Sequence, residues 1–456
     1  MDNWKNKRVL VVGMARSGFC AADMLLKKGA RVIVSDIKPE DQFDADHIAA
    51  LRAAGCQIAL GMGPEGFFDE IDMMVISPGI PRAAGFVQKA LEKGIEVIGE
   101  LELGARVLSG RLVAITGTNG KTTTTTLVGE IFKATGRPTH VCGNIGYPIT
   151  AEAGETGKDD ITVAEVSSYQ CETIDRFHPD VAACLNITED HLVRHGNMET
   201  YIAMKRRIFE RQTKHDAAVF NYDDEACRKM AEGLQSHVLW FSRTQKVPRG
   251  AFVEDGTIYF KDEVLYPVCR TSEVRIPGPH NLENALAAVA ITAALNVPHE
   301  LMRQVLMSFA GVEHRIETVR ELNGITYIND SKGTNVDSTL KAIDTMTKPT
   351  VLILGGSDKK VSFKALAEAI KACPLITDCV LIGDTAKQIE AELKAVGYTR
   401  YVHAGYDFDR CLELCRERAQ KGGNILLSPA CASFDMFTDF EHRGHVFKEK
   451  VMAFTE

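Results

Sequence analysis

The run Ile115-Thr116-Gly117-Thr118-Asn119-Gly120-Lys121-Thr122-Thr123 holds residue types that grip phosphate. An apolar stretch, Leu112 to Ile115, empties into a glycine-spaced turn with one lysine, and helix-compatible residues Thr124 to Lys133 follow. Backbone N–H groups turned inward at a helix N-terminus hold anions. Gly117, Thr118, Asn119, Gly120, Thr123 and Thr124 would therefore cradle phosphates. Lys121 would reach the outer ones, and the Thr122 hydroxyl would meet a magnesium ion. Ile115 stands where the common G-x-x-x-x-G-K-T loop has its first glycine, so the turn is a variant of that loop. These residues predict a nucleoside triphosphate site.

Other polar residues admit two readings each. Glu165 closes the run Thr162-Val163-Ala164. It suits magnesium beside a phosphate loop, or the start of a helix. Ser167 and Ser168 follow as caps or as ligand contacts. His191, after Thr188-Glu189-Asp190, is a cap or surface residue, or a metal ligand at the end of a second strand. Lys205 by itself reads as a solvated helix lysine. Asn281 and Asn284, at i and i+3 of a helix's first turn, suit capping or base reading. Arg315 could swing toward a bound phosphate or bridge two segments. The loops 329–335, 355–360 and 428–435 carry lysine, threonine and serine in patterns that suit turns or a dianionic amino acid. Cys431 has no evident base to make it a nucleophile.

The elements that position these residues alternate. Short β-branched runs end in Gly, Asp, Ser or Asn, with helical stretches between, which predicts parallel sheets covered by helices. Ligands in such sheets gather beyond the carboxyl ends of the strands. In the first segment the runs Val9–Val12, 31–34 and Met73–Ile76 end at Gly13, at Ser35-Asp36 and at Ser77-Pro78-Gly79. Gly13-Met14-Ala15-Arg16-Ser17-Gly18 is close to a dinucleotide fingerprint, but Ala15 replaces its middle glycine. That favours another nucleotide-diphosphate group, or a structural βαβ unit, over NAD. Further strands are expected at 161–164, 181–185, 217–220 and 238–241, with a hairpin over 252–260. An alanine-rich helix is expected from 281 to 295, then strands at 326–328, 351–354, 380–382 and 425–427.

The 456 residues suggest about three domains. The net charge of −8 and the lack of a basic run argue against a nucleic-acid partner. Twelve cysteines without a CxxC pair suit a reducing compartment better than disulfides or zinc. With no signal-like start and no apolar run long enough to cross a bilayer, the expectation is a cytoplasmic protein without a membrane partner.

In order along the chain, TGTNGKTT, EVSSYQ, NITEDH, YIAMKRRIF, GPHNLENALAA, HRIE, NDSKGTN, LILGGSDKK and LLSPACASFDMF resemble the Mur ligases, ATP-dependent amino-acid-adding enzymes of peptidoglycan precursor synthesis. The last three are similar to the glutamate-adding member. The resemblance implies an α/β chain of three domains. Residues 1–102 would form a Rossmann-like domain for a UDP-linked substrate, 103–311 a P-loop-type ATPase domain, and 312–456 a Rossmann-like amino-acid domain. It implies ATP, two magnesium ions, UDP-N-acetylmuramoyl-L-alanine and D-glutamate, handled by a monomer. Lys121, Glu165, His191, Lys205 and Arg315 would be catalytic, with Thr122, Glu165, His191 and Lys205, as a carbamate, around the metals. Asn281 and Asn284 would meet adenine, Asp330 the ribose and Arg315 the γ-phosphate. The UDP substrate would lie along Ala15, Arg16, Ser17, Asp36, Ser77, Pro78, Gly79, Asn144, Ser167 and His191. Lys332, Thr334, Lys359, Ser433 and Phe440 would hold D-glutamate. Rival readings are a relative adding another amino acid, a nucleotide-gated binding protein without turnover, and a dehydrogenase.

Overall fold

The computed structural model describes residues 3–358 and 361–455. It forms two compact units: Met1–Arg275 with Asn281–Phe309, and Ile276–His280 with Ala310–Glu456. Three sheets carry the chain.

The first unit holds two of them. β1 (Arg8–Val12), β2 (Arg31–Asp36), β3 (Gln57–Leu60), β4 (Met73–Ile76) and β5 (Glu96–Gly99) lie in the order β3-β2-β1-β4-β5, all parallel. Val9, Val11, Leu10, Met74 and Ile76 are buried on both faces, so these strands are apolar throughout and do not alternate. The order reverses between β1 and β4, and Gly13 and Ser77 end those two strands. That is the crevice where ligands of doubly wound sheets bind. Helix Arg16–Lys27 crosses close to β1, because a Cβ on Gly18 would strike the Gly13 carbonyl.

The second sheet contains β6 (Arg111–Thr116), β7 (Thr139–Gly143), β8 (Ile161–Glu165), β9 (Val181–Cys184), β10 (Ala217–Asn221), β11 (His237–Ser242), β12 (Gly250–Glu254), β13 (Thr257–Lys261) and β14 (Leu265–Arg270). Its order is β14-β13-β12-β11-β10-β9-β6-β8-β7. β6 lies between β8 and β9, with Ile115 level with Glu165 and Thr116 level with Cys184. The phosphate loop is thus flanked by the two strand ends that carry the candidate metal ligands.

In the second unit β15 (Glu317–Leu322), β16 (Ile325–Asn329), β17 (Thr350–Gly355), β18 (Ile376–Ile382), β19 (Tyr401–Gly405) and β20 (Asn424–Leu427) form the third sheet, in the order β15-β16-β20-β17-β18-β19. The loops after β16, β17 and β20 emerge side by side from its middle.

The α/β class is the expected one, with two differences. β12 and β13 form the expected hairpin, but antiparallel pairing also extends to β13–β14 and to the β15–β16 edge. Asp255 and Gly256, both at positive φ (46° and 70°), make the tight turn between β12 and β13. Strands β3, β5, β7, β14, β15 and β19 were not expected; several are short or only half-buried, so no apolar run announces them. Among the described residues no helix is long and apolar enough to cross a membrane.

Candidate active site

β6 releases the chain at Thr116, and Gly117 (φ 149°) and Gly120 (φ 81°) turn it into helix Lys121–Ala134. Only glycine takes such angles without strain. Gly120 has a second constraint, since a Cβ there would run into Asn284 Oδ1. The helix starts at Lys121, three residues before the expected start, so Lys121 and Thr122 stand in its first turn.

The loop is braced from neighbouring strand ends. Asn186, just past β9, accepts from the Asn119 N–H through Oδ1 (2.8 Å) and donates to the Asn119 carbonyl through Nδ2 (3.0 Å). The Thr118 hydroxyl lies 3.1 Å from that of Tyr201 and accepts from Thr188 N–H at 3.0 Å. Asn186 and Tyr201 open the stretches NITEDH and YIAMKRRIF, but the sequence assigned neither a role. The available signal was Tyr201 lying four residues before Lys205, on the same helix face.

Lysine amines converge on this loop. Lys121 Nζ donates to the carbonyls of Gly117 (2.9 Å) and Thr118 (2.7 Å), and Lys205 Nζ donates to the same Gly117 carbonyl at 2.8 Å. Lys205 is not the solvated lysine that its residue pattern suggests: it is 1% exposed, with its amine over the Tyr201 ring. Burial, with the Lys121 ammonium close by, pushes it down from 10.5 to about 8. A minor fraction of this amine, about a tenth at pH 7, is therefore unprotonated, the form that attacks an electrophile such as CO2.

Glu165 ends β8 in full burial. Oε1 accepts from Asn144 Nδ2 at 2.9 Å, while Oε2 meets no hydrogen-bond partner among the described residues. A buried carboxylate oxygen without a partner is costly, and a cation beside the phosphate loop would satisfy it. Magnesium, a hard ion taking oxygen ligands, fits this carboxylate with the Thr122 hydroxyl. Ser167 is a helix cap: it accepts from Gln170 N–H, and the Gln170 side chain returns to the Ser167 N–H. His191 sits at positive φ (55°), with Nδ1 3.0 Å from the Tyr169 hydroxyl and Nε2 3.4 Å from Asp190.

Asn281 and Asn284 are buried in the first turns of helix Pro279–Ala293. Asn284 Nδ2 donates to Asn281 Oδ1 (3.2 Å), and its Oδ1 accepts from Thr124 at 3.2 Å. The pair ties that helix to the phosphate-loop helix.

At the β1–β4 crevice, Asp36 accepts from Met14 N–H (2.9 Å) and Lys38 N–H (3.0 Å), while the Ser77 hydroxyl donates to Gly13 O at 3.3 Å. Ala15 caps helix Arg16–Lys27 with no side-chain bond, leaving Ser17 in its first turn. Arg16 reaches Gly146 O (3.0 Å), two residues from Asn144, and Arg194 reaches Gly79 O (3.3 Å) beyond Pro78. These contacts join the first and second sheets of this unit.

In the second unit, Asp330 is 2% exposed beyond β16. Its Oδ2 accepts from the Ser428 hydroxyl (2.6 Å) and its Oδ1 from Ile316 N–H (3.3 Å). Burial pushes its carboxyl up to about 6, against the pull of nearby Arg315. Arg315 Nε is buried without a hydrogen-bond partner among the described residues. Lys332 Nζ lies 4.5 Å from the centre of the Phe440 ring, which brings two candidate glutamate contacts together. Ser433 is buried in the 428–435 loop, and Thr334 N–H donates to Lys332 O at 2.8 Å. Lys359 lies outside the described residues.

Residues 7–99 match the family model of the MurD-like N-terminal domain of Mur ligases, 115–292 that of the Mur ligase middle domain, and 314–431 that of the Mur ligase glutamate ligase domain. The UDP-N-acetylmuramoylalanine–D-glutamate ligase of Koribacter versatilis is 44% identical, over 99% of this chain and 98% of its own. The enzyme of that name from Clostridioides difficile is 43% identical over 98% of each chain. Among solved structures, the MurF ligase of Thermotoga maritima in complex with ADP superposes with a TM-score of 0.61 at 17% identity, covering 99% of each chain. At that identity the likeness speaks for the fold.

Proposed function

This chain belongs to the Mur ligase family, and from that premise we propose that it joins D-glutamate to UDP-N-acetylmuramoyl-L-alanine at the expense of ATP, releasing ADP and phosphate. It is an ATP-dependent ligase forming a C–N bond, and its substrates are small molecules. Full-length identity to D-glutamate ligases supports the choice of amino acid. The observation that carries the chemistry is the glycine-turned loop with Lys121 folded onto it, one strand from a buried carboxylate with an orphaned oxygen.

The γ-phosphoryl group passes to the alanyl carboxylate, the glutamate amine attacks the acyl phosphate, and the tetrahedral intermediate expels phosphate. Loop N–H groups and Lys121 orient the ATP phosphates, with Gly117, Thr118, Asn119, Gly120, Thr123 and Thr124 as the cradle. Arg315 would meet the γ-phosphate, Asp330 the ribose, and Asn281 with Asn284 the adenine. Thr122 and Glu165 would hold one magnesium ion, and His191 with a carbamylated Lys205 a second; bound there, the ions neutralise phosphate charge. The protein's part is positioning and charge neutralisation. Lys332, Thr334, Lys359, Ser433 and Phe440 are assigned to D-glutamate. Ala15, Arg16, Ser17, Asp36, Ser77, Pro78, Gly79, Asn144, Ser167 and His191 are assigned to the UDP substrate. We place the domains at 1–102, 103–311 and 312–456, and regard the protein as a cytoplasmic monomer, where ATP and UDP-linked precursors are made.

An ADP-release assay over an amino-acid panel tests this: turnover should need UDP-N-acetylmuramoyl-L-alanine and D-glutamate together. Inert D-glutamate beside an active rival amino acid would replace the specific reading. Carbamylation of Lys205 is tested by a carbonyl resonance that appears with 13C-bicarbonate in the wild type and not in Lys205→Ala.

A further inference from the structure

Arg443 is the largest side chain in the molecule's fully buried set, 1% exposed, on helix Phe440–Ala453. No carboxylate comes within ion-pair distance of it among the described residues, although the Asp435 and Asp330 charges lie near enough to act on it. Its guanidinium is instead spent on one serine hydroxyl and three backbone carbonyls. Nε donates to Ser331 Oγ (2.9 Å) and Nη2 to Ser331 O (2.7 Å). Nη1 donates to Cys431 O and Ala432 O (both 3.2 Å), and Nη2 also to Cys431 O at 3.2 Å. Ser331 in turn donates to the Phe440 carbonyl at 2.8 Å, closing a ring of contacts.

Ser331 lies in the loop after β16, and Cys431 and Ala432 in the loop after β20. These are the loops of Lys332, Thr334 and Ser433, and Phe440 lies one turn before Arg443 on its helix. A buried cation of this kind is expensive. Simple cross-bracing could be done by a neutral amide at lower cost. What a guanidinium adds is a five-donor planar fork and a permanent positive charge in a low-dielectric interior.

We propose that Arg443 is a positioning residue of the amino-acid subsite: its fork fixes the two substrate loops against each other. The proposal rests on assigning these loops to D-glutamate. Arg443 touches no reacting atom. It acts through Ser331, Cys431 and Ala432.

The test is steady-state ADP release by the full chain carrying Arg443→Gln or Arg443→Lys, with each substrate varied in turn. For Arg443→Gln, kcat/KM for D-glutamate should fall about tenfold or more, while the KM for ATP stays within about twofold of wild type. Arg443→Lys, which keeps donors but not the fork, should fall less. Thermal melts with and without ATP show whether each variant is folded. If Arg443→Gln does not fold, Arg443→Lys decides by the same criterion of a loss confined to D-glutamate. Wild-type-like kcat/KM for D-glutamate in a folded variant overturns the proposal, as does an equal loss for all three substrates. A wild-type enzyme inert with D-glutamate would instead remove the assignment of the loops, and the proposal with it.

Discussion

Two ammonium groups share the Gly117 carbonyl, and that crowding is informative at the scale of single residues. Lys121 depresses Lys205 electrostatically, so removing Lys121 relieves repulsion as it deletes two loop hydrogen bonds. Lys121→Ala should therefore melt close to the wild type. ADP formation should fall by at least about a thousandfold, the scale on which one phosphate-neutralising cation counts in phosphoryl transfer. An active Lys121→Ala would remove the phosphate-loop assignment. The place of Lys121 at the turn into its helix was legible because the spacing of glycines around it sets that turn. Lys205 was not: neighbours along its helix look solvated, and the partner that buries it, the loop at Gly117, lies 88 positions away in sequence.

Elements were legible where one period dominates. Apolar runs such as Val9 to Val12 announced strands, and Asp255-Gly256 announced its turn. The missed strands are the edges of the three sheets: β3, β5, β7 and β19 pair parallel on one side only and are short or half-buried, while antiparallel β15 carries charge at Glu317, Arg320 and Glu321. Helix Glu100–Val107 carries at its first residue a feature that only packing shows. Glu100 is fully buried, and Oε1 accepts from both Thr150 N–H (2.8 Å) and the Thr150 hydroxyl (2.7 Å). Its Oε2 meets no partner among the described residues. It thereby anchors helix Ile149–Ala153, at the far end of the loop that carries Asn144. Burial pushes its carboxyl up from 4.5 to about 7, against the two Thr150 bonds. The folded chain thus keeps a proton that the unfolded chain loses above about 4.5, so this group's contribution falls as pH rises from there to about 7. Glu100→Gln removes the titration. Relative to wild type it should gain on the order of 1–3 kcal/mol between pH 4.5 and pH 8, read from denaturant melts. Parallel stability profiles for the two proteins would contradict a neutral Glu100.

At the scale of the whole molecule, three sheets repeat one device: a polar loop leaves the carboxyl end of a central strand. Gly13 and Ser77 do so in the first sheet, Gly117 to Lys121 in the second, and 329–335 with 428–435 in the third. On the proposed assignments a chain with a net charge of −8 would serve three anionic substrates, because each would meet local N–H groups and cations that outweigh the overall field at contact distance. This division predicts separate footprints in amide hydrogen exchange. ATP with magnesium should slow exchange across 117–124, where loop N–H groups turn to phosphate. The UDP-linked substrate should protect 13–18 and 77–79, and D-glutamate, added to an enzyme holding the other two, 331–335 and 430–434. Exchange reads each loop in the full chain without assuming two-state unfolding, which a chain of two compact units need not obey. ATP protection appearing at 13–18 instead of 117–124 would reverse the assignment of the first two sheets. D-Glutamate protection absent from both third-sheet loops would move the amino-acid subsite away from them.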